Sequence, residues 1–296
     1  MFIDAHTHTQ PGPADKAEFD QWSEARDRSR AGTVDELLSG MGAAEVRHSM
    51  VVPWLPAQLL VEQLVKNGED RERATASVVE RWRRLNRWAA AETRAHPGQL
   101  SCLVGLDPIL MPADVMAAEV ADGLAGGAIG LKVAPMFLNV HPDSPLMEPV
   151  WQLARRHSVF VLSEACAVTG LPGYEAWGHP THFEEVLRSY PDVRIQLAHL
   201  GVGAEEEVAR LTRKYGNVYA DLAMRLGGPV PMPFDPAAVL RQVRAIGADR
   251  VLFGTNYPLV DQSSCVAALR ALGLTGSELR QVGWENAERL FGLVAR

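Results

Sequence analysis

The chain has 296 residues, with 29 Lys+Arg against 36 Asp+Glu and a formal charge of −7. Hydrophobic residues make up 47% and charged residues 22%, the balance of a globular protein rather than a disordered or fibrous one. The acidic balance argues against non-specific nucleic-acid binding, which needs a basic face, and no apolar run approaches the ~18 residues of a membrane span. The opening Met1-Phe2-Ile3-Asp4 lacks the basic segment and long apolar stretch of a signal peptide. Three cysteines without CxxC spacing argue against a disulfide framework and point to a reducing cytoplasm. The length suits two domains of ~150 residues or one α/β barrel of ~250 residues with insertions.

Taken in chain order, short apolar runs alternate with helix-period stretches. Phe2-Ile3-Asp4-Ala5 reads as the first strand. A polar insertion, residues 11–32, follows, with a helix expected through Ala14–Arg30. Thr33 reads as the N-cap of the next helix, with Glu36 at the capping-box position. His48 to Pro53 is the second expected strand, and a long helix from Ala74 to Ala95 stops at His96-Pro97-Gly98. Strands at 100–106, 128–133, 159–163, 193–198, 218–222 and 250–254 are separated by helices at 113–125, 146–156, 183–190, 205–215 and 236–246. Two helices, 263–272 and 277–291, close the chain. Eight strands, each followed by helix, predict right-handed crossovers and a parallel sheet closed into a single (β/α)8 TIM barrel over 1–296. A second insertion, residues 170–182, follows strand five. Both insertions leave C-terminal strand ends, where they serve as lids or as surface or dimer contacts. Neither G-x-G-x-x-G after a strand nor G-x-x-x-x-G-K-[ST] occurs, which argues against dinucleotide and P-loop binding.

His6 and His8 flank Thr7 at the end of strand one. A His-x-His pair on a strand points both imidazoles to one face, an arrangement suited to one divalent metal. Alone the spacing is weak, but at the extreme start of an eight-strand pattern it carries more weight. Asp4 reads as a group that orients the pair.

The chain resembles the amidohydrolase superfamily, in its amidohydrolase-related, aminocarboxymuconate-semialdehyde decarboxylase-like branch. The resemblance rests on Asp4-Ala5-His6-Thr7-His8, Thr33 to Leu38 with Met41, and Gly105-Leu106-Asp107-Pro108. It continues through Gly130-Leu131-Lys132-Val133, Leu197-Ala198-His199-Leu200-Gly201, Phe253-Gly254-Thr255-Asn256-Tyr257-Pro258 and Glu285 to Gly292. The resemblance implies a metal shell of the His-x-His pair, a His ending strand five and an Asp ending strand eight, with a strand-six His as acid/base or further ligand. His6, His8 and His199 match. Glu164 stands where the strand-five His belongs, and Asn256 where the strand-eight Asp belongs. Three imidazoles and one carboxylate carry −1, and so do His6, His8, Glu164 and Asn256, as if the carboxylate had moved from strand eight to strand five. The alternatives are a salt-bridged or solvated Glu164 with an empty site, or an offset that puts Ser163 in the ligand position.

The expected ligands are therefore His6, His8, Glu164, Asn256 and His199, around one divalent ion, zinc first, with manganese or iron also suited to N/O donors. Asn256 cannot ionise, so His199 becomes the leading acid/base and Glu164 the second. Lys132, Arg225, Trp54, Trp177 and Tyr257 follow or end strands and are candidate substrate contacts. For Arg225 an ion pair, and for the aromatic residues loop packing, are the alternative readings. Hydrolysis of a small polar, carboxylated or cyclic metabolite leads on what the resemblance implies. Non-oxidative decarboxylation is favoured by Asn256, and a silent binding or scaffold member is the third reading. The resemblance also implies a homodimer.

Overall fold

The apolar runs pair in the order in which they occur. The computed structural model describes residues 1–22, 28–167, 176–227 and 235–293. Its strands β1 (Phe2–Thr7), β2 (Val46–Val51), β3 (Leu100–Gly105), β4 (Gly130–Val133), β5 (Phe160–Ser163), β6 (Ile195–Leu197), β7 (Val218–Asp221) and β8 (Val251–Leu252) form one sheet in that order. Every neighbouring pair is parallel. Beyond β8 the chain returns to β1. The Ala5 amide donates to the Phe253 carbonyl and the Asn256 amide to the His6 carbonyl, each at 2.9 Å, and Thr7 bridges to Tyr257. This is the expected (β/α)8 barrel.

Helices α1 (Pro13–Trp22) and α2 (Val34–Ala43) separate β1 from β2, and α3 (Ala57–Lys66) and α4 (Arg71–Ala95) separate β2 from β3. Next come α5 (Ala113–Ala125), then α6 (Pro135–Leu138) with α7 (Glu148–His157), α8 (Phe183–Ser189), α9 (Glu205–Lys214) and α10 (Pro236–Ile246) before successive strands. The chain finishes with α11 (Gln262–Ala271), α12 (Gly276–Arg280) and α13 (Asn286–Phe291). Among the described residues no helix is long and apolar enough to cross a membrane. On α4, Ala74, Val78, Trp82, Leu85 and Ala89 recur every three or four residues and form the buried stripe. Asp70 caps its start by accepting from the amides of Glu72 and Arg73.

Several boundaries differ from expectation. Helix α3 was not among the expected elements. The second strand lies at 46–51 rather than 48–53, and β8 is only Val251–Leu252. Of the helix expected through Ala14–Arg30, α1 ends at Trp22 and residues 23–27 lie outside the described residues, as do 170–175 of the second insertion. Thr33 does cap α2, but Glu36 does not reach back to it. Its carboxylate instead accepts from the Gly32 amide (2.8 Å) and the Tyr257 hydroxyl. The last expected helix is broken by a π-turn, Gln281–Glu285, between α12 and α13.

Two sets of side chains fill the strands' faces. Ile3, Ala5, Met50, Val52, Leu103, Phe160, Leu162, Ala198 and Leu252 fill the barrel floor against Ala287, Leu290 and Phe291 of α13. Phe2, Val51, Cys102, Val104, Leu131, Val161, Ile195, Val218 and Val251 meet the surrounding helices. On β1 alternation breaks. Ile3 and Asp4 face His48 and Ser49, whereas Thr7 faces Val51, so β1 spends one more residue than β2 between these pairs. This bulge lets Ala5 fill the floor while His6 still enters the mouth.

Gly105 shows how tightly α4 is seated. Its amide and carbonyl bind the Asn86 side chain at 2.9 and 3.1 Å, and a Cβ there would lie 2.2 Å from the Trp82 ring. We predict that Gly105→Ala destabilises the fold by about 1–3 kcal/mol through overpacking. Urea unfolding should give a lower midpoint; an unchanged midpoint would contradict this packing.

Candidate active site

Three imidazoles meet at the barrel mouth with their protons held on the same nitrogen. Nδ1 of His6 faces Asp221 Oδ2 (3.0 Å), that of His8 the Val52 carbonyl (2.8 Å), and that of His199 the Ala223 carbonyl (3.0 Å). These partners only accept, so each neutral ring carries its proton on Nδ1 and a lone pair on Nε2. His6 Nε2 and His8 Nε2 face each other at 3.1 Å. With no proton between them, two lone pairs at that distance repel. Two imidazole nitrogens each ~2.0–2.1 Å from one ion stand about that far apart. The His199 ring stacks on His6, with centroids 5.2 Å apart.

Asp221 orients this group. Its Oδ2 accepts from His6 Nδ1 and from Gln196 Nε2 (2.7 Å), and its Oδ1 from the amides of His199 (3.0 Å) and Ala223 (3.1 Å). One ligand atom each of His6, His199 and Asp221 fall within 4.8 Å of one another. We nevertheless read Asp221 as a positioning group, because four hydrogen bonds already occupy its two oxygens. Burial alone would raise its pKa, but His6, through charge and hydrogen bond, holds it well below the usual carboxylate range. In the sequence its signal was position, as the last inward residue of β7, two beyond Tyr219.

His199 is placed by the backbone. Ala198 lies in the barrel floor, so alternation would turn His199 away. His199 and Leu200 instead take left-handed conformations, φ 61° and 55°, which bring the ring to His6. A non-glycine residue held there stores strain, as functional sites often do.

Burial pushes the imidazoles towards neutrality, His6 to about 4, with His8 and His199 also lowered. Buried Lys132 is likewise pushed down to about 8 by desolvation, against the pull of Glu164 and Asp221. Its charge acts on all three histidines, so it belongs to the same cluster. Glu164 follows Phe160 and Leu162 on the inward face of β5, whereas the Ser163 hydroxyl donates to the Glu164 carbonyl (3.0 Å). The Glu164 carboxylate is buried, in electrostatic reach of Lys132 and His199, though outside the 4.8 Å group of His6, His199 and Asp221. Asn256, also left-handed at φ 64°, is tied by its amide to His6, and its side-chain Oδ1 is buried without a partner among the described residues. Facing lone pairs, an orphaned oxygen and the nearby Glu164 carboxylate are a donor set that fits one divalent cation.

The remaining candidates divide. Trp54 packs edge-on to His8, with centroids 6.4 Å apart, beside Phe19. Trp177 packs against His141 (4.5 Å) rather than the three histidines. The Tyr257 hydroxyl is committed to Glu36, and Arg225 to Glu205 and Gln242 of α9 and α10 at 3.0 and 3.1 Å. In these last two cases structural partners already hold the polar group expected to meet substrate. Asp4 does not touch the His6 ring. It accepts from the amides of His6 and Thr255, the Thr255 hydroxyl and Gln262, joining β1 to the segment after β8.

A family profile described as Amidohydrolase matches residues 3–293. The chain belongs to the amidohydrolase family. No curated protein matches it. Among solved structures, it is similar to a TIM-barrel protein of Bordetella bronchiseptica (TM-score 0.74, 17% identity, 98% of each chain covered). It is also similar to 2,6-dihydroxybenzoate decarboxylase from Rhizobium (0.72, 18%, covering 99% of this chain and 98% of that one). A third is a dihydroxybenzoic acid decarboxylase from Polaromonas with bound manganese and 2-nitroresorcinol (0.74, 18%, 100% and 98%). At these identities the likeness establishes the fold that this amidohydrolase shares with them.

Two predictions follow from the site's electrostatics. Free imidazole titrates near ~6.5, so below that pH the unfolded amidohydrolase chain binds protons that folded His6 refuses down to about 4, and that folded His8 and His199, also lowered by burial, likewise resist. Asp4 and Asp107, each raised by burial to about 6, oppose this between about 6 and their unfolded ~3.9, but they are outnumbered. The urea midpoint of the metal-free protein should therefore be lower at pH 5 than at pH 7; a higher one would contradict the assignment. Asp221→Asn should weaken Mn²⁺ or Zn²⁺ affinity by ~10–100-fold, measured by chelator competition, and unchanged affinity would remove the positioning role.

Proposed function

We propose that this amidohydrolase is a metal-dependent, non-oxidative decarboxylase of a small carboxylated metabolite. The observation that carries this reading is the pairing of Asn256 with His199. The first cannot ionise, and the second has a lone pair on Nε2 because its Nδ1 proton is held by Ala223. Proton handling thereby falls to an imidazole rather than to a strand-eight carboxylate. A divalent ion held by His6 and His8, with Glu164, Asn256 and His199 as further candidate donors, would polarise substrate oxygens. Zinc, manganese and iron all suit such donors, and the manganese in the Polaromonas structure supports testing that metal first.

His199 begins neutral, since burial lowers its pKa. It takes a proton on Nε2 from a substrate hydroxyl, leaving an oxyanion that solvent reprotonates once CO₂ has left. The carbon–carboxylate bond then breaks, its electron pair passes to carbon, and CO₂ leaves. The imidazolium returns its proton to that carbon, which restores neutral His199. Lys132 supplies positive charge beside the three rings, suited to holding the carboxylate before it leaves. Trp54 offers an aromatic wall at His8.

Hydrolysis is the second reading, favoured by the buried Glu164 carboxylate as an alternative base. The two are separated by incubating manganese-loaded protein with a panel of small carboxylates in ¹⁸O-labelled water. CO₂ release with no label in the organic product is expected; labelled product without CO₂ would overturn decarboxylation. We further predict that His199→Asn lowers kcat by ~10²–10⁴. An unchanged kcat would remove His199 from the chemistry.

A further inference from the structure

At the ends of β3 and β4, a chamber of about 10 Å³ is bounded by Trp54, Trp82, Asp107, Lys132, Phe137 and Leu138. It holds about one water. Its roof is an edge-to-face pair, Trp54 and Phe137, with centroids 5.1 Å apart. Trp54 and Leu55 also border an outer cleft of about 220 Å³ between α1 and α4. Displacing Trp54 towards that cleft would join the two spaces.

Asp107 lies two residues beyond β3 and is fully buried. Its Oδ1 accepts from the amides of Ile109 and Leu110, each at 3.0 Å, with the Gln58 amide nitrogen at 3.5 Å. Those bonds hold the turn. Its Oδ2 is buried and has no partner among the described residues. A buried carboxylate oxygen without a donor is costly, and burial raises this carboxyl to about 6. The turn therefore explains one oxygen and leaves the other unexplained. Lys132 lines the same chamber and acts electrostatically on His6, His8 and His199, so this one side chain links the chamber of Asp107 to the histidine cluster.

We infer that Asp107 determines specificity by accepting a hydrogen bond from a hydroxyl or amino group at the end of the substrate remote from its carboxylate. Entry of the substrate's planar body requires Trp54 to leave its contact with Phe137. The inference rests on reading the histidine cluster as the reaction centre, not on the reaction being decarboxylation.

The test measures binding of 3- and 4-hydroxybenzoate, and of the corresponding methoxybenzoates, to the manganese-loaded protein by titration calorimetry. At least one hydroxy probe should bind roughly tenfold more tightly than its methoxy partner. Asp107→Asn keeps an oxygen for the turn and offers an N–H to the chamber, so it should erase or reverse that ratio. A role confined to the turn would lower the melting temperature and leave the ratio unchanged, and that result overturns the inference. So does failure of every probe to bind the unsubstituted protein. Should the variant not fold, the decisive measurement is a crystal structure of the unsubstituted protein with the tighter hydroxybenzoate. The hydroxyl is expected within hydrogen-bond distance of Asp107 Oδ2, and a hydroxyl placed elsewhere overturns the inference. Binding with the predicted ratio but no CO₂ release would sink the decarboxylase reading and leave Asp107 in place.

Discussion

The Asp221 carboxylate is the constraint on which the centre depends. It fixes the His6 proton on Nδ1, holds the amide of His199 where the chain turns left-handed, and binds Gln196 from the neighbouring strand β6. Val52 and Ala223 fix the other two rings through their carbonyls. Once the three protons are committed outward, three lone pairs remain inside. The 3.1 Å approach of His6 Nε2 to His8 Nε2 is then the spacing that a cation shared between them would set. Burial works in the same direction, because it keeps the imidazoles neutral and able to donate.

Charge around the centre is balanced rather than concentrated. Asp221 and Glu164 face Lys132, and the long-range pull of both carboxylates keeps a buried amine charged against its desolvation. Asn256 contributes a neutral oxygen where a carboxylate would add another negative charge. Such a centre suits substrates that bring their own negative charge, and it leaves His199 as the group best placed to move a proton.

Much of the fold was legible in the sequence. Apolar runs of four to six residues between helix-period stretches define the barrel, and the helices 113–125 and 236–246 match α5 and α10 at both ends. The pairing of His6 with His8 was legible as spacing, and the inward face of Glu164 as alternation from Phe160 and Leu162. Less was legible where the backbone departs from regular geometry. The bulge in β1 and the left-handed turn at His199 each overrule alternation, and no propensity announces either. Partners far away in sequence were also hidden. Tyr257 is taken by Glu36, Arg225 by Glu205 and Gln242, and the free oxygen of Asp107 exists only because its other oxygen holds a turn.

The central claim is that the facing imidazoles are built around a cation. Anomalous diffraction from crystals grown with manganese tests it most directly. The account predicts one peak bonded by Nε2 of both His6 and His8. A folded protein with no peak between those nitrogens, or with a manganese peak only elsewhere, would contradict it.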